Sequence, residues 1–237
     1  MKKFKICILL LFIGYVYLSA QNTGRQQLID NYAVEYLKTV EKRSLLYYGN
    51  DQVNYPRTSN HPYLINDQYV KARLSYHNVI YPEAFLRLDL CRNELIILSP
   101  EFRNIILFPE NVDFVELYGK HIIFFRQDNL PGCPSSGYYN LLYSGKCRIL
   151  ERNSATLTEK TESGRLLRYF DMSTKYYLYK DGIYHQIKNE TGLLKILSKY
   201  KKELKRFIST NHLQFKRNAE EFLIQTIKEY EKLSGSL

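Results

Sequence analysis

The sequence contains no tryptophan, and its four cysteines include no Cys-x-x-Cys pair. Five histidines are spread from His61 to His212 without the close spacing of metal ligands, so we expect no metal site. The 11 glycines form neither a phosphate-binding loop nor a Gly-x-Ser-x-Gly nucleophile turn, even near Ser135 and Ser136. We therefore predict no cofactor and no catalytic residue.

Long apolar runs are absent except at the start of the chain. Lys2, Lys3 and Lys5 precede 13 uncharged residues (6–18), which end in Ser-Ala at positions 19–20. This three-part layout is typical of a secretory signal peptide, and the run is shorter than the about 20 residues of a membrane-spanning helix. We predict that residues 1–20 are a signal peptide and that the cleaved protein is not transmembrane. The predicted location is the periplasm or the cell surface of a Gram-negative bacterium.

Acidic residues are fewer than basic residues. The chain has 34 lysines and arginines against 24 acids, and loss of the three signal-peptide lysines leaves a net charge of +7. Export argues against nucleic acid as the partner of a basic protein. We expect an anionic lipid, an acidic glycan or another envelope protein as the partner, although a solvated charged surface is a common alternative.

Three cysteines remain after export, namely Cys91, Cys133 and Cys147. Oxidising compartments permit disulfides without requiring them. The stretch between Cys133 and Cys147 contains a strand-like Gly-Tyr-Tyr segment that could return to the loop before it. We predict that these two cysteines pair if any do, and that Cys91 stays free.

The next part of the chain divides into a helical segment at residues 21–48 and a loop at residues 49–67. In the first, apolar residues between positions 28 and 40 recur with helical spacing, which predicts a helix over residues 26–40. In the second, Pro56 and Pro62 lie among polar residues, which favours extended irregular backbone. This loop is either a binding arm or a strap that lies over a sheet.

Residues 68–188 change to a period of two, which predicts an antiparallel β-meander. Val70, Ala72, Leu74 and Tyr76 alternate with polar residues, and short apolar runs bounded by turn residues follow as far as residue 188. Asp-Gly at positions 181–182 predicts a two-residue hairpin. The predicted fold class is mainly β (α+β), with the meander curled into a barrel-like or two-layer sheet, one short N-terminal helix and two C-terminal helices.

Residues 189–237 have helical periodicity and form a predicted helical hairpin. One helix covers residues 190–208, with an apolar stripe of Leu193, Leu197, Tyr200, Leu204 and Phe207. The second is capped by Asn218 with Glu221 and ends near Leu233. The polar side of the first helix is basic, and its candidate binding residues for an anionic partner are Lys195, Lys199, Lys202 and Arg206.

Several segments resemble a group of exported bacterial proteins of unassigned function. They are the hairpin Lys-Asp-Gly-Ile-Tyr (180–184), the basic helix (201–208), the loop Leu-Pro-Gly-Cys-Pro (130–134), and the stretches at 137–139 and 142–145. The resemblance implies a Tyr-rich β-meander followed by two C-terminal helices. It implies no activity, cofactor or substrate.

We interpret the chain as a non-catalytic binding or scaffolding module of the envelope, because no site with catalytic chemistry stands out. The alternative is a small-ligand carrier with a lipocalin-like barrel lined by tyrosines. A hydrolase is a weaker hypothesis that relies on carboxylates near predicted strand ends. These carboxylates are Asp89, Glu94, Glu101 and Asp113.

Overall fold

The computed structural model describes residue 32 and residues 45–162 and 164–235. The predicted signal peptide lies outside the described residues, and so does the predicted N-terminal helix apart from Tyr32. The chain divides into two compact units, Met1–Tyr47 and Tyr48–Leu237. In the first unit, Leu45–Tyr47 form a 3-10 turn. The second unit contains all the strands and longer helices described below.

The described residues of the second unit form one sheet of 11 strands, all paired antiparallel. In chain order the strands are β1 (Asn50–Asp51), β2 (Val70–Tyr76), β3 (Val79–Asp89), β4 (Glu94–Leu98), β5 (Asn104–Ile106), β6 (Val112–Leu117), β7 (Lys120–Phe125), β8 (Gly137–Ser144), β9 (Arg148–Glu162), β10 (Arg165–Lys180) and β11 (Ile183–Ile187).

The predicted mainly-β fold with an antiparallel meander is confirmed, and the sheet is not closed into a barrel. Spatial order departs from chain order twice, because β1 pairs with β5 and β2 pairs with β6. Strands β2 to β5 run outward on one side, and the chain then returns so that β6 pairs with β2. The sheet curls strongly. This curl brings β9 close to the turn after β3, where the Ala155 N–H donates to the Leu90 carbonyl at 3.1 Å.

Tight turns join many of the strands. The predicted Asp-Gly hairpin is confirmed, since Asp181 and Gly182 have φ of 50° and 81° and Lys180 pairs with Ile183. Two positive φ values are the requirement of a type I′ turn, whose twist matches that of the strands. The turns His77-Asn78 and Tyr118-Gly119 have the same signature, although neither is a strong sequence signal.

Strands β9 and β10 have 15 and 16 residues and form one long hairpin, whereas only short apolar runs are predicted in this part of the chain. Polar residues lie near the middle of both strands. In the structure these residues pair across the hairpin: the Thr174 hydroxyl donates to Asn153 at 2.7 Å, and Ser154 contacts Ser173 at 2.9 Å. Cross-strand hydrogen bonds of this kind stabilise a sheet without apolar side chains.

Pro82 lies inside β3, where a proline removes one ladder hydrogen bond. The register between β2 and β3 shifts at this point: Ala72 pairs with Ala84, but Leu74 pairs with Tyr81. One extra residue on β3 therefore forms a bulge at Pro82, and a bulge is a position in which a strand accommodates proline.

Most of the predicted loop at residues 49–67 lies along the sheet as a strap, which we define as residues 52–67. Its start differs from the prediction, because Asn50–Asp51 pair with β5 as strand β1. Near its middle, the Ser59 N–H donates to the carbonyl of Arg168 in β10 at 2.9 Å. Near its end, the Leu64 N–H donates to Leu88 in β3 at 2.9 Å, and Tyr63 forms a β-bridge with Asp89. The strap therefore joins two strands that are distant in the sheet.

Three helices follow the sheet: α1 (Glu190–Ile196), α2 (Lys201–Thr210) and α3 (Ala219–Leu233). The prediction of one continuous helix over residues 190–208 is wrong, because a 3-10 turn at Ser198–Tyr200 separates α1 from α2. Serine is a weak helix former because its hydroxyl competes for backbone groups. The predicted cap of the last helix is confirmed, since the Asn218 side chain accepts from the Glu221 N–H.

Candidate functional site

The helices α1 to α3 pack on one side of the sheet through a shared apolar cluster. Leu193, Leu197 and Leu204 of the predicted stripe are fully buried. Tyr200 and Phe207 are only half-buried, and Ile208 is buried instead. The sheet contributes Ile149, Leu178 and Ile187 to the same cluster. Each fully buried leucine stabilises the docked helices by about 1.5–3 kcal/mol, so the helices present a fixed outer surface.

That outer surface is basic. Six residues, which we call the basic surface, are all exposed: Lys195, Lys199, Lys201, Lys202, Lys205 and Arg206. They include the four predicted binding residues. Glu203 is the one acid between positions 195 and 206. Among the described residues, no ion pair involves any member of the basic surface.

The basic residues of α2 share one side of that helix. At about 100° per residue, Lys201, Lys202, Lys205 and Arg206 fall within an arc of roughly 140°. The buried Leu204 and Ile208 lie outside this arc. Lys199, in the turn before α2, extends its ammonium group to 5.1 Å from the ring centre of Tyr200. The arrangement concentrates positive charge on a solvent-facing surface without local neutralisation.

The three cysteines are free thiols in the structure, so Cys133 and Cys147 do not form the predicted pair. Cys147 is buried in the cluster beneath the helices, whereas Cys133 packs against a different cluster that contains Tyr139 and Tyr184. Burial raises the pKa of the Cys147 thiol to about 11, and the Glu231 carboxylate adds to this rise. Cys147 is therefore a poor nucleophile at neutral pH.

The four carboxylates considered for hydrolysis are not assembled into one site. Asp89 and Glu94 are cross-strand neighbours at the ends of β3 and β4. Asp113 lies on β6, where it accepts hydrogen bonds from Ser75 and Asn78, and Glu101 is exposed in the turn after β4. Burial raises the pKa of Glu94, and the charge of Asp89 adds to this effect. The Asp89 carboxylate accepts a hydrogen bond from the Tyr55 hydroxyl of the strap.

A second candidate site, which the sequence did not indicate, is a cleft of about 390 Å³ between the strap and the strands β9 and β10. Lys120, Glu151 and Glu220 meet at its floor. The Lys120 ammonium donates to Glu151 at 2.9 Å and to Glu220 at 2.7 Å. Asn140 also donates to Glu151, at 2.8 Å. Three elements of the fold, β7, β9 and α3, therefore contribute charged groups to one cluster.

This charged cluster is partly buried, since the side chains of Lys120 and Glu220 are 18% and 41% exposed. Glu151 is only 4% exposed and Asn140 only 6%. Burial lowers the pKa of Lys120, but its hydrogen bonds to Glu220 and Glu151 outweigh this effect and hold the pKa above its ordinary value. Lys120 is therefore a permanent cation at neutral pH. Buried ion pairs are costly to form and are weak contributors to stability, which makes them candidates for function.

Sequence reasoning missed the cleft because its residues are far apart in the chain. Lys120 is 31 residues from Glu151 and 100 from Glu220. The one available signal was the position of Glu151, which follows Ile149 on the same side of β9, where an apolar residue is expected. A charged residue at an inward position indicates a buried partner.

No protein-family model matches the sequence, and no curated protein or solved structure matches it significantly. Within the described residues, no helix is both long and apolar enough to span a membrane. Nor do any three histidine, cysteine or acidic side chains in the described part of the chain converge as metal ligands would.

Proposed function

We propose that this protein is an exported, non-catalytic binding protein of the bacterial envelope, and that the basic surface attaches it to the anionic headgroups of a lipid bilayer. The observation that carries the proposal is the exposure of all six basic residues on helices fixed by a buried apolar cluster. Because these helices are already fixed, the backbone that carries the basic surface does not have to become ordered before it binds an anionic surface.

The expected affinity comes from charge alone. Each lysine or arginine near an anionic bilayer contributes about 1 kcal/mol, so six of them supply several kcal/mol. Between residues 184 and 235, no large apolar side chain is mostly exposed. Insertion of apolar groups into the bilayer is therefore not part of the proposed binding mode, which predicts strong sensitivity to salt.

The carrier alternative receives less support from the fold. A lipocalin-like carrier encloses its ligand inside a closed barrel, whereas this sheet is open. For the hydrolase alternative, Asp89 and Glu94 are the neighbouring carboxylates, but the Asp89 oxygens already accept hydrogen bonds from the Tyr55 hydroxyl and from two backbone N–H groups. A binding role remains the function best supported by the geometry.

Export is part of the proposal and is supported by the charged start and 13-residue apolar run of the chain. Mass spectrometry of the protein recovered from the envelope tests it. We expect an N-terminus at Gln21. An intact Met1 on membrane-bound material would contradict soluble export.

Co-sedimentation of the protein without residues 1–20 tests the binding mode. We expect binding to vesicles of phosphatidylglycerol with phosphatidylcholine, and none to phosphatidylcholine alone. Raising the ionic strength from about 0.01 to about 0.15 M shortens the screening length from about 30 to about 8 Å and should release the protein. Binding to the acidic polysaccharide alginate but not to anionic vesicles would contradict the lipid proposal and identify an acidic glycan instead.

A further inference from the structure

The cleft above the Lys120 cluster is distinct from the basic surface and has the size of a small-molecule site. Its volume of about 390 Å³ lies in the range of about 300–1,000 Å³ typical of ligand sites. Leu64, Leu90 and Met172 give the cleft apolar walls. The floor and rim are polar. This combination of apolar walls and a few placed polar groups is typical of sites that orient a ligand.

The polar groups of the cleft retain unused hydrogen-bonding capacity. Glu151 uses one oxygen, Oε2, for both Lys120 and Asn140, and within the described chain no donor binds its Oε1. Lys120 has three N–H groups, of which two bind carboxylates. Asn153 accepts from Thr174 through Oδ1, and its Nδ2 has no acceptor among the described residues. Acceptors and donors therefore lie side by side.

His61 adds a further donor from the opposite wall. Its Nδ1 accepts a hydrogen bond from the Tyr63 N–H at 3.2 Å, so the neutral ring carries its proton on Nε2. The ring lies nearly parallel to Tyr63, with 17° between the planes, which fixes its orientation at the cleft. The strap therefore contributes to the site as well as to the fold.

From this arrangement we propose that the cleft binds a neutral, hydroxyl-rich molecule of monosaccharide or disaccharide size. A hydroxyl group both donates and accepts, so several hydroxyls on one ring match the adjacent donors and acceptors. The apolar walls match the C–H surfaces of such a ring.

Charge argues against the other ligand classes. Two carboxylates and one ammonium group leave the cluster with a net negative charge, which repels an anion. A cation would have to approach Lys120, which stays protonated because its pKa is raised by both carboxylates. A neutral ligand avoids both repulsions.

Saturation-transfer NMR with the protein lacking residues 1–20 tests this proposal. The probes are glucose, galactose, N-acetylglucosamine, maltose and cellobiose, with glucuronic acid as the anion and spermidine as the cation. We expect transfer to at least one neutral sugar and none to the two charged probes. Absence of transfer to every neutral sugar, or transfer to spermidine or glucuronic acid alone, would overturn the proposal.

A blocking variant locates the binding. Met172 lines the cleft and is 49% exposed, so Met172→Trp fills the space without disturbing the buried cluster. Leu166→Trp is the matched control, because Leu166 is 51% exposed on the same strand and does not line the cleft. We expect sugar binding to weaken about tenfold or more in Met172→Trp, a loss of about 1.4 kcal/mol, and to be unchanged in the control. Equal binding by both variants would place the ligand elsewhere and overturn the proposal.

Discussion

The Tyr55 hydroxyl lies within hydrogen-bond distance of both carboxylate oxygens of Asp89, at 3.0 and 2.9 Å, although the two residues are 34 positions apart. Asp89 is fully buried, and its Oδ1 also accepts from the backbone N–H groups of Cys91 and Arg92. The ring of Tyr55 packs edge-on against Phe170. Tyr55 therefore ties the strap to the end of β3 and to β10 at the same time.

Replacing Tyr55 by phenylalanine removes this donor and keeps the ring. We expect Tyr55→Phe to lower the free energy of unfolding by about 1–3 kcal/mol, because a buried carboxylate loses a hydrogen bond. Urea denaturation measures the change. Tyr48→Phe is the control, since Tyr48 is 73% exposed and should unfold like the wild type. Equal stability of both variants would show that the strap is not held by Asp89.

Asn60 pairs with β10 as a further strand would. Its side-chain amide donates to the Phe170 carbonyl at 2.9 Å and accepts from the Phe170 N–H at 2.7 Å. We expect Asn60→Ala to cost about 1 kcal/mol of unfolding free energy and to speed hydrogen exchange at the Phe170 amide. Ser59→Ala keeps both of these hydrogen bonds and should leave that exchange unchanged. Slow exchange in Asn60→Ala would contradict this pairing.

Two glycines should respond to alanine in opposite directions. A Cβ on Gly145 would lie 2.6 Å from the Glu231 carboxylate, which is held by the Cys147 N–H and the Tyr143 hydroxyl. We expect Gly145→Ala to destabilise the fold by about 1–3 kcal/mol. Gly192 lies in α1, and a Cβ added there would have its nearest neighbour, the Asn189 Oδ1, at 3.4 Å. Gly192→Ala should therefore stabilise the fold by about 0.4–1 kcal/mol. Thermal melts that shift the same way for both would contradict the packing described around Glu231.

Alkaline pH should unfold the protein through its tyrosines. Burial raises the pKa of Tyr69, Tyr143 and Tyr176 from 10.0 to about 12. Because the folded state keeps these protons more tightly than the unfolded state, their contribution to stability is constant below pH 10 and is lost as pH rises toward 12. Denaturant midpoints measured across this window should fall steadily. Midpoints that stay level from pH 10 to 12 would contradict the burial of these hydroxyls.

The ionisation of tyrosine also gives a direct reading of the same effect. In guanidinium-unfolded protein, all tyrosines should ionise near their ordinary pKa, as ultraviolet absorbance reports. In folded protein, a fraction of the tyrosines should ionise only at a higher pH. Coincident titration curves would remove the basis for the predicted alkaline transition.

The parts of the fold that the sequence predicts are those governed by local rules. The turn at Asp181-Gly182 and the cap at Asn218 depend on neighbouring residues, and both are confirmed. The length of β9 and β10 was not predictable in the same way, because Asn153 and Ser154 resemble turn residues until their partners across the hairpin are known. No sequence pattern predicts the break after α1, since the apolar stripe continues through Leu197 to Leu204.

The two candidate sites differ in the same way, since one depends on residues close in sequence and the other on residues far apart. The basic surface was predictable because its charges are close in sequence, and burial of Leu193 and Leu204 turns those charges outward. The cleft was not predictable, because Lys120, Glu151 and Glu220 come together only through the order of the strands and the docking of α3. Contacts across such sequence separations depend on the tertiary fold rather than on any local pattern.

The most direct test of the proposed function compares two charge-reversal variants of equal net charge for binding to anionic vesicles. The first carries Lys195→Glu, Lys199→Glu and Lys202→Glu in the basic surface. The second carries Lys146→Glu, Lys160→Glu and Lys175→Glu, at exposed lysines of the sheet and its turns. Exposed charges contribute little to stability, so both variants should fold.

We expect the basic-surface variant to lose at least about 3 kcal/mol of binding free energy, which is more than a hundredfold in affinity at about 1 kcal/mol per lysine. The sheet variant should retain nearly all of the wild-type affinity for phosphatidylglycerol-containing vesicles at low ionic strength. If both variants bind these vesicles equally well, or if the wild-type protein does not bind them, the basic surface is not a membrane-attachment site and the proposed function is wrong.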